Sequence, residues 1–291
     1  MVKLQRTGSR AVLDLCAECC ASPDPRERQV AAAVLGQLRV GDGRVSTEFH
    51  EVRYQALLAV LLAEVAGPAD ARVLASACVA LGHLYDPRSI PAVVGLHGYP
   101  DPDVRYAVVH GLMEYDVDEA VVALIALSAD VEAQVRGWAT FALGQQIKRD
   151  TPAARVALRN RLPDPDCDRR AEALCGLARR GDVVGTETLI AALRSDGPSP
   201  VLLEVAIMAA SPTLCPALRD VENRLPKPSM HCRSDPVREA MTDALRACGC
   251  GLAEPISSTA MTGPICDSVG SAMVVEHHAS GGASAQRLEP A

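Results

Sequence analysis

The sequence predicts an all-α fold, an α-solenoid (superhelix) of about seven stacked helix-turn-helix repeats. Three observations carry this. Asp101–Leu112 reads D-P-D-V-R-Y-A-V-V-H-G-L and Glu132–Gly144 reads E-A-Q-V-R-G-W-A-T-F-A-L-G, so Val104, Arg105 and Leu112 recur as Val135, Arg136 and Leu143, each 31 positions later. A fixed period of this length is the mark of stacked helical units. Apolar residues also recur at i, i+4 and i+8 before each such leucine, which places them on one helix face. Finally, hydrophobic content is 48% while aromatics are 3%. A core of Ala, Val and Leu suits thin, closely packed helices.

Taken in order, residues 1–9 read as a flexible N-terminus and 10–247 as the repeat array. Ala11–Cys20 is an apolar helix stopped by Ala21-Ser22-Pro23. The anchoring residues then run Leu35, Leu81, Leu112, Leu143, Leu177, Ala209 and Leu245, at intervals of 46, 31, 31, 34, 32 and 36. Their stripes read Val73-Ala77-Leu81, Val104-Val108-Leu112, Val135-Ala139-Leu143, Val201-Val205-Ala209 and Val237-Met241-Leu245. The first unit puts Glu27 and the unit at Leu177 puts Arg169 where the leading apolar residue would stand. The small middle residue lets a neighbouring helix come close.

Second helices follow each of these after a turn, at Ile90–Leu96, Val121–Leu127, Val156–Leu162, Leu189–Leu193 and Leu218–Leu225. The long first interval holds a Gly-Asp-Gly loop (41–43) and a longer helix around Val52–Val65. A single pair of this kind cannot bury its apolar face, but stacked pairs share one core. Asp-Pro at 24–25, 101–102, 164–165 and 235–236 precedes first helices, where Asp caps and Pro opens the first turn. Asp86-Pro87 falls in a turn within one unit. Residues 248–291, rich in Gly, Ser, Ala, Thr and Pro, read as a disordered tail.

With these motifs the chain resembles bacterial HEAT-repeat proteins of the short, phycobilisome-lyase-like type, whose first helices read approximately D-P-x-x-V-R-x-x-A-x-x-A-L-G. The likeness spans roughly 22–247 and weakens at Pro200–Pro226. It implies second helices lining a concave face, and interaction or scaffolding as the usual role. His50-Glu51 is similar to the His-Glu dyads of the HEAT-repeat hydroxylase that modifies deoxyhypusine, where opposing dyads hold two irons. Here the dyad occurs once and the equivalent slots carry Arg or apolar residues, so most ligands of such a site are lacking.

The periodic charges offer one candidate surface. Arg28, Arg105, Arg136, Arg170 and Arg238 stand seven before the anchor, with Leu74 an exception. Asp24, Asp70, Asp101, Glu132 and Asp166 stand eleven before it, with Ser234 last. Because the charges share the packing period, they read as a ladder between repeats, each Arg pairing with its own acid or with the next unit. Trp138 and Phe141, with Tyr106 one unit earlier, read as packing between units. Cys16, Cys19 and Cys20 form an apolar stripe of an end helix, and His83, His97 and His110 lack the spacing of a zinc site. The variable second helices offer Arg155, Arg159, Glu187 and Arg194, the residues expected to meet an acidic peptide.

A net charge of −7, with 26 Arg and 3 Lys, argues against a phosphate-tracking surface, and with it a solenoid DNA glycosylase. No run of about 18 apolar residues suggests a membrane span, and the first residues lack the apolar core of a secretory signal. Eleven cysteines without regular spacing fit free thiols in a reducing cytoplasm better than a disulfide framework. No glycine-rich phosphate loop and no nucleophile with His and Asp partners stands out. The expectation is therefore a monomeric, cytoplasmic, non-enzymatic adaptor that binds another protein or peptide on its concave surface, with no catalytic residue, cofactor or metal. The alternative is a bilin lyase or isomerase of the same repeat type.

Overall fold

The computed structural model describes residues 9–38, 49–195, 199–226 and 235–251, and every regular element among them is helical. The first helix of each unit is even-numbered: α2 (Pro25–Gly36), α4 (Ala71–Leu84), α6 (Pro102–Leu112), α8 (Ala133–Phe141), α10 (Cys167–Arg179), α12 (Pro200–Ala209) and α14 (Pro236–Ala247). The second helices are odd-numbered: α1 (Arg10–Cys19), α3 (His50–Ala66), α5 (Ile90–Val94), α7 (Asp118–Leu127), α9 (Pro152–Arg159), α11 (Val183–Ser195) and α13 (Cys215–Arg224). Each even helix packs on the odd helix before it, and successive even helices pack on one another, which is the α-solenoid that the period predicts. No described helix is long and apolar enough to cross a membrane.

The first helices begin where the sequence supplies a cap. Asp24, Asp70, Asp101, Asp166 and Asp235 each accept a hydrogen bond from the amide two residues on. Pro25, Pro102 and Pro236 follow in the first turn, where a missing N–H costs nothing. Asp164-Pro165 departs from the reading, because the cap there is Asp166. Asp86, read only as a turn residue, caps a short 3₁₀ turn through the Arg88 amide.

The apolar stripes lie where the periodicity puts them in α4, α6 and α8, all at 1% exposure or less. One stripe is wrong. Val201 is 42% exposed, and α12 instead turns Leu203, Val205 and Ala206 inward. The anchor at Ala209 had been aligned through a helix with apolar residues on every side, where periodicity decides little.

Small residues set how closely the first helices cross. A Cβ added to Gly36 would meet Ala80 Cα at 2.7 Å, one on Gly82 would meet Gly111 Cα at 2.8 Å, and one on Gly176 would meet Gly144 Cα at 2.6 Å. In each crossing the residue after one anchor touches the residue before the next.

The core falls into two clusters. One runs from Leu13 to Leu177 and the other from Leu174 to Cys250, with α10 contributing to both. After α8 the chain makes one wide π turn over Ala142–Gln146, closed by the Ile147 amide on the Ala142 carbonyl.

Cys248 and Cys250, placed by the sequence reading in the tail, are 1% and 6% exposed, and Cys250 is disulfide-bonded to Cys215 of α13. The free-thiol expectation therefore fails at this pair; Cys16, Cys19, Cys20, Cys78, Cys167, Cys175 and Cys248 are free. The remainder of the predicted tail, residues 1–8, the 41–43 loop and Ser234 lie outside the described residues.

Candidate functional site

Two edges and one face of the array carry its polar chemistry. On the edge between units, four of the five periodic arginines close a turn. Arg28 donates to the Ser22 and Pro23 carbonyls, Arg105 to Tyr99 and Pro100, Arg136 to Asp130 and Val131, and Arg170 to Asp164 and Pro165. Three of these guanidiniums reach forward to an acid: Arg28 to Glu64, Arg105 to Asp130, Arg136 to Asp164. That acid in turn accepts the amide of the next unit's capping residue, Asp70, Glu132 or Asp166. The acids are 2–7% exposed, so the ladder is a buried stitch from unit to unit rather than an open basic row.

The opposite edge, between the first and second helix of each unit, carries a second set of ion pairs that the sequence reading did not find. His50 Nε2 lies 3.0 Å from Asp86, Arg88 bridges Asp86 and Glu51, and Arg88 also covers the Tyr54 ring at 4.0 Å. The Arg88 hydrogen bond holds the Asp86 carboxyl far below its usual range. Both members of the His50-Glu51 dyad are thus engaged by protein partners. Arg149 spans Asp116 and Asp118 one unit later. The only regular signal for this edge was an acid five residues after Leu81 and Leu177, too sparse to call a row.

Arg155 and Arg159 of α9 belong to this second set. Both grip Asp182, at 3.2 and 2.5 Å, and Arg155 also holds Asp150 at 2.6 Å. Asp182 is fully buried and accepts the Gly185 amide at the start of α11. Burial alone would raise its carboxyl, but Arg159, the amide and Arg155 outweigh it and hold it low. This polar clamp joins α9 to α11 at the junction of the two apolar clusters. Glu187 and Arg194 stand exposed on α11, outside the clamp. The structure brings together two of the four candidate residues and leaves the other two on the next helix.

The second-helix face is the least satisfied surface. Among the described residues, eight exposed large aliphatic side chains lie on second helices (Leu15, Val52, Leu62, Val65, Val122, Val156, Val183, Val184), against three on first helices (Val30, Val201, Met208). Between α7 and α9 this face dips into a groove of about 450 Å³, lined by Ile125, Ala129, Ala153, Val156, Asn160 and Arg161 among others. Val156, the first residue of the predicted second segment Val156–Leu162, is 50% exposed, and Ala157 and Leu158 take the buried side of α9.

Three aromatic residues and a histidine gather on the first helices α6 and α8. Trp138 stacks edge-on with Phe141 at 5.5 Å and Tyr106 at 6.3 Å, and His110 fills the gap 4.7 Å from the indole. All are half-buried, as packing between units requires. Among the described residues, one group, Asp166, Cys167 and Asp168, brings three ligand-type atoms together, and it contains no histidine. Its Asp166 is the cap of α10 and pairs with Arg169.

The HEAT-repeat family pattern matches residues 55–144. Among solved structures, the Escherichia coli protein YibA is 22% identical, with 85% of each chain covered and a TM-score of 0.63. Human deoxyhypusine hydroxylase in complex with glycerol is 18% identical over 84% of this chain and 87% of that one, at a TM-score of 0.33. An engineered protein is 16% identical over 81% and 95%, at 0.39. A comparison with curated proteins returns no match. Of these structures, YibA alone has a similarity high enough to bear on the fold.

Proposed function

We propose that this chain, whose residues 55–144 match HEAT repeats, works as a non-enzymatic scaffold whose second-helix face binds another protein. The uneven distribution of exposed aliphatic side chains carries this reading. Among the described residues, first and second helices are equal in number, yet the second helices expose eight such residues and the first helices three. A solvated face gains nothing from such a row, whereas a binding face gains its contact energy from it. The arginines of both polar edges are engaged by internal pairs, which supports a contact made through the exposed aliphatic side chains instead. The adaptor acts as a monomer in the cytoplasm on this reading.

The test is crosslinked capture with the full chain. Val122→Asp and Leu62→Asp should abolish recovery of the partner while leaving the helical melt in place. Val30→Asp, on a first helix, should not. Loss of capture by Val30→Asp alone would move the binding surface to the other side. Co-expression with a bilin source addresses the lyase alternative, which a covalently coloured product would favour.

A further inference from the structure

The groove between α7 and α9 has a chemistry more specific than the face around it. Its walls come from small and aliphatic side chains, Ile125 and Ala129 on one side, Ala153 and Val156 on the other, because the Thr151-Pro152-Ala153-Ala154 start of α9 puts no long side chain there. Its lining holds Asn160 and Arg161 at one end and no carboxylate, in a chain of net charge −7.

Arg161 is the least committed arginine of its neighbourhood. Its one ion pair is to Asp164, at 3.9 Å. That carboxylate, 2% exposed, already serves Arg136 at 3.2 Å, Arg169 at 3.7 Å and the Asp166 amide. The Arg161 Nε–H lies buried with no acceptor. Arg169 also pairs with Asp166 at 3.0 Å, so of the three guanidiniums on Asp164 it is Arg161 that holds the longest contact and no other acid, and a buried donor without a partner is costly. Turning the Arg161 head toward the groove gives up only a long pair, and a planar guanidinium can then hold an incoming carboxylate through two N–H groups.

We propose that this groove binds an amphipathic peptide segment of a partner protein, with a branched aliphatic side chain seated between Val156 and Ile125 and an Asp or Glu side chain held by Arg161 and Asn160. The proposal rests on the scaffold reading and deepens it by fixing the site and the partner's chemistry. Apolar burial supplies the contact, and the arginine sets register and excludes basic segments.

The experiment uses the full chain against a synthetic array of twelve-residue peptides, each acetylated and amidated so that no terminal carboxylate is present. Positions are varied between Leu and Ala, and between Glu, Gln and Lys. Binding should concentrate on peptides that carry both Leu and Glu, fall at least tenfold on Glu→Gln and vanish on Glu→Lys. Arg161→Gln should erase the Glu preference but keep the Leu preference, and Ala153→Glu, at an exposed position, should block both. Circular dichroism of each variant confirms folding, and Ala153→Glu serves if Arg161→Gln melts early. Equal binding of Glu and Lys peptides, or a preference untouched by both substitutions, overturns the groove. If the array stays blank while Val122→Asp still abolishes capture of the partner, the groove proposal fails and the scaffold reading stands; if capture is also unaffected, both fail.

Discussion

Arg105 holds both carboxylate oxygens of Asp130, at 2.7 and 2.9 Å, across twenty-five residues of sequence and one unit boundary. The arginine is 12% exposed and the aspartate 7%, so the pair is a buried, two-pronged clasp rather than a surface contact. Removing one partner of such a pair leaves the other charged and dry. Arg105→Ala should cost about 3 kcal/mol, and a double-mutant cycle with Asp130→Ala should show strong coupling in urea melts. Near-additivity of the two losses would reduce the clasp to a bystander. Arg136→Glu, facing Asp164, should destabilise the array by the same logic.

Acid should loosen these stitches. Arg105 holds the Asp130 carboxyl below its ordinary value, while at Asp164 and Asp182 burial pushes upward but is outweighed by amide and guanidinium donors. A carboxyl lowered in the folded state binds fewer protons there than when unfolded, so its contribution is complete above the unfolded value near ~4 and is lost as pH falls through the folded one. Urea midpoints should be flat from pH 7 to 5 and drop below about 4. An Asp130→Asn, Asp182→Asn double variant should start lower and show a shallower drop.

The crossings of the first helices should reject even a methyl group. Gly176→Ala places its Cβ 2.6 Å from Gly144 Cα, where backbone must yield. Overpacking of this kind costs about 1–3 kcal/mol, more than the roughly 1 kcal/mol that alanine gains over glycine in a helix. The melt should therefore fall. A rise would mean that the two helices can part without loss.

The clamp at Asp182 should govern how the array comes apart. Asp182→Ala leaves Arg155 and Arg159 without their shared acceptor at the junction of the two apolar clusters. Arg159 is 40% exposed, so the expected loss is discounted to about 2 kcal/mol. Hydrogen exchange should then show α11–α14 opening before α2–α8. Uniform exchange along the chain would count against a seam at this place.

Cys215 and Cys250 close a loop of 35 residues around α14. In the chain-entropy picture such a link stabilises by about 4 kcal/mol, and here the effect falls on the terminal unit. Reduction, or Cys215→Ala, should raise amide exchange across 236–251 and leave α2–α8 unchanged. Alkylation of protein taken directly from cells tells whether the pair is closed there, and bears on the expected cytoplasmic setting.

The array was legible because repetition writes one packing solution many times over. Val104-Val108-Leu112 and its copies point inward as periodicity requires. The arginine row was legible for the same reason, but its partners were not. The acids that share its period, Asp24, Asp70, Asp101 and Asp166, are spent on capping, and the arginines reach past them to Glu64, Asp130 and Asp164. Whether Arg155 faces solvent or the buried Asp182 is decided by contacts between helices twenty-seven residues apart, which no local pattern records. The groove escaped notice because it consists of what is small at Ala129 and Ala153, and a missing side chain leaves no motif.

The contacts of Gly36 with Ala80, Gly82 with Gly111, and Gly144 with Gly176 join main chain to main chain. Spacing along the array is therefore written in the backbone and leaves the second helices free to diverge without upsetting the pitch. The array can therefore change the surface it offers to a partner through substitutions on its second helices alone, while the steps between first helices keep their height.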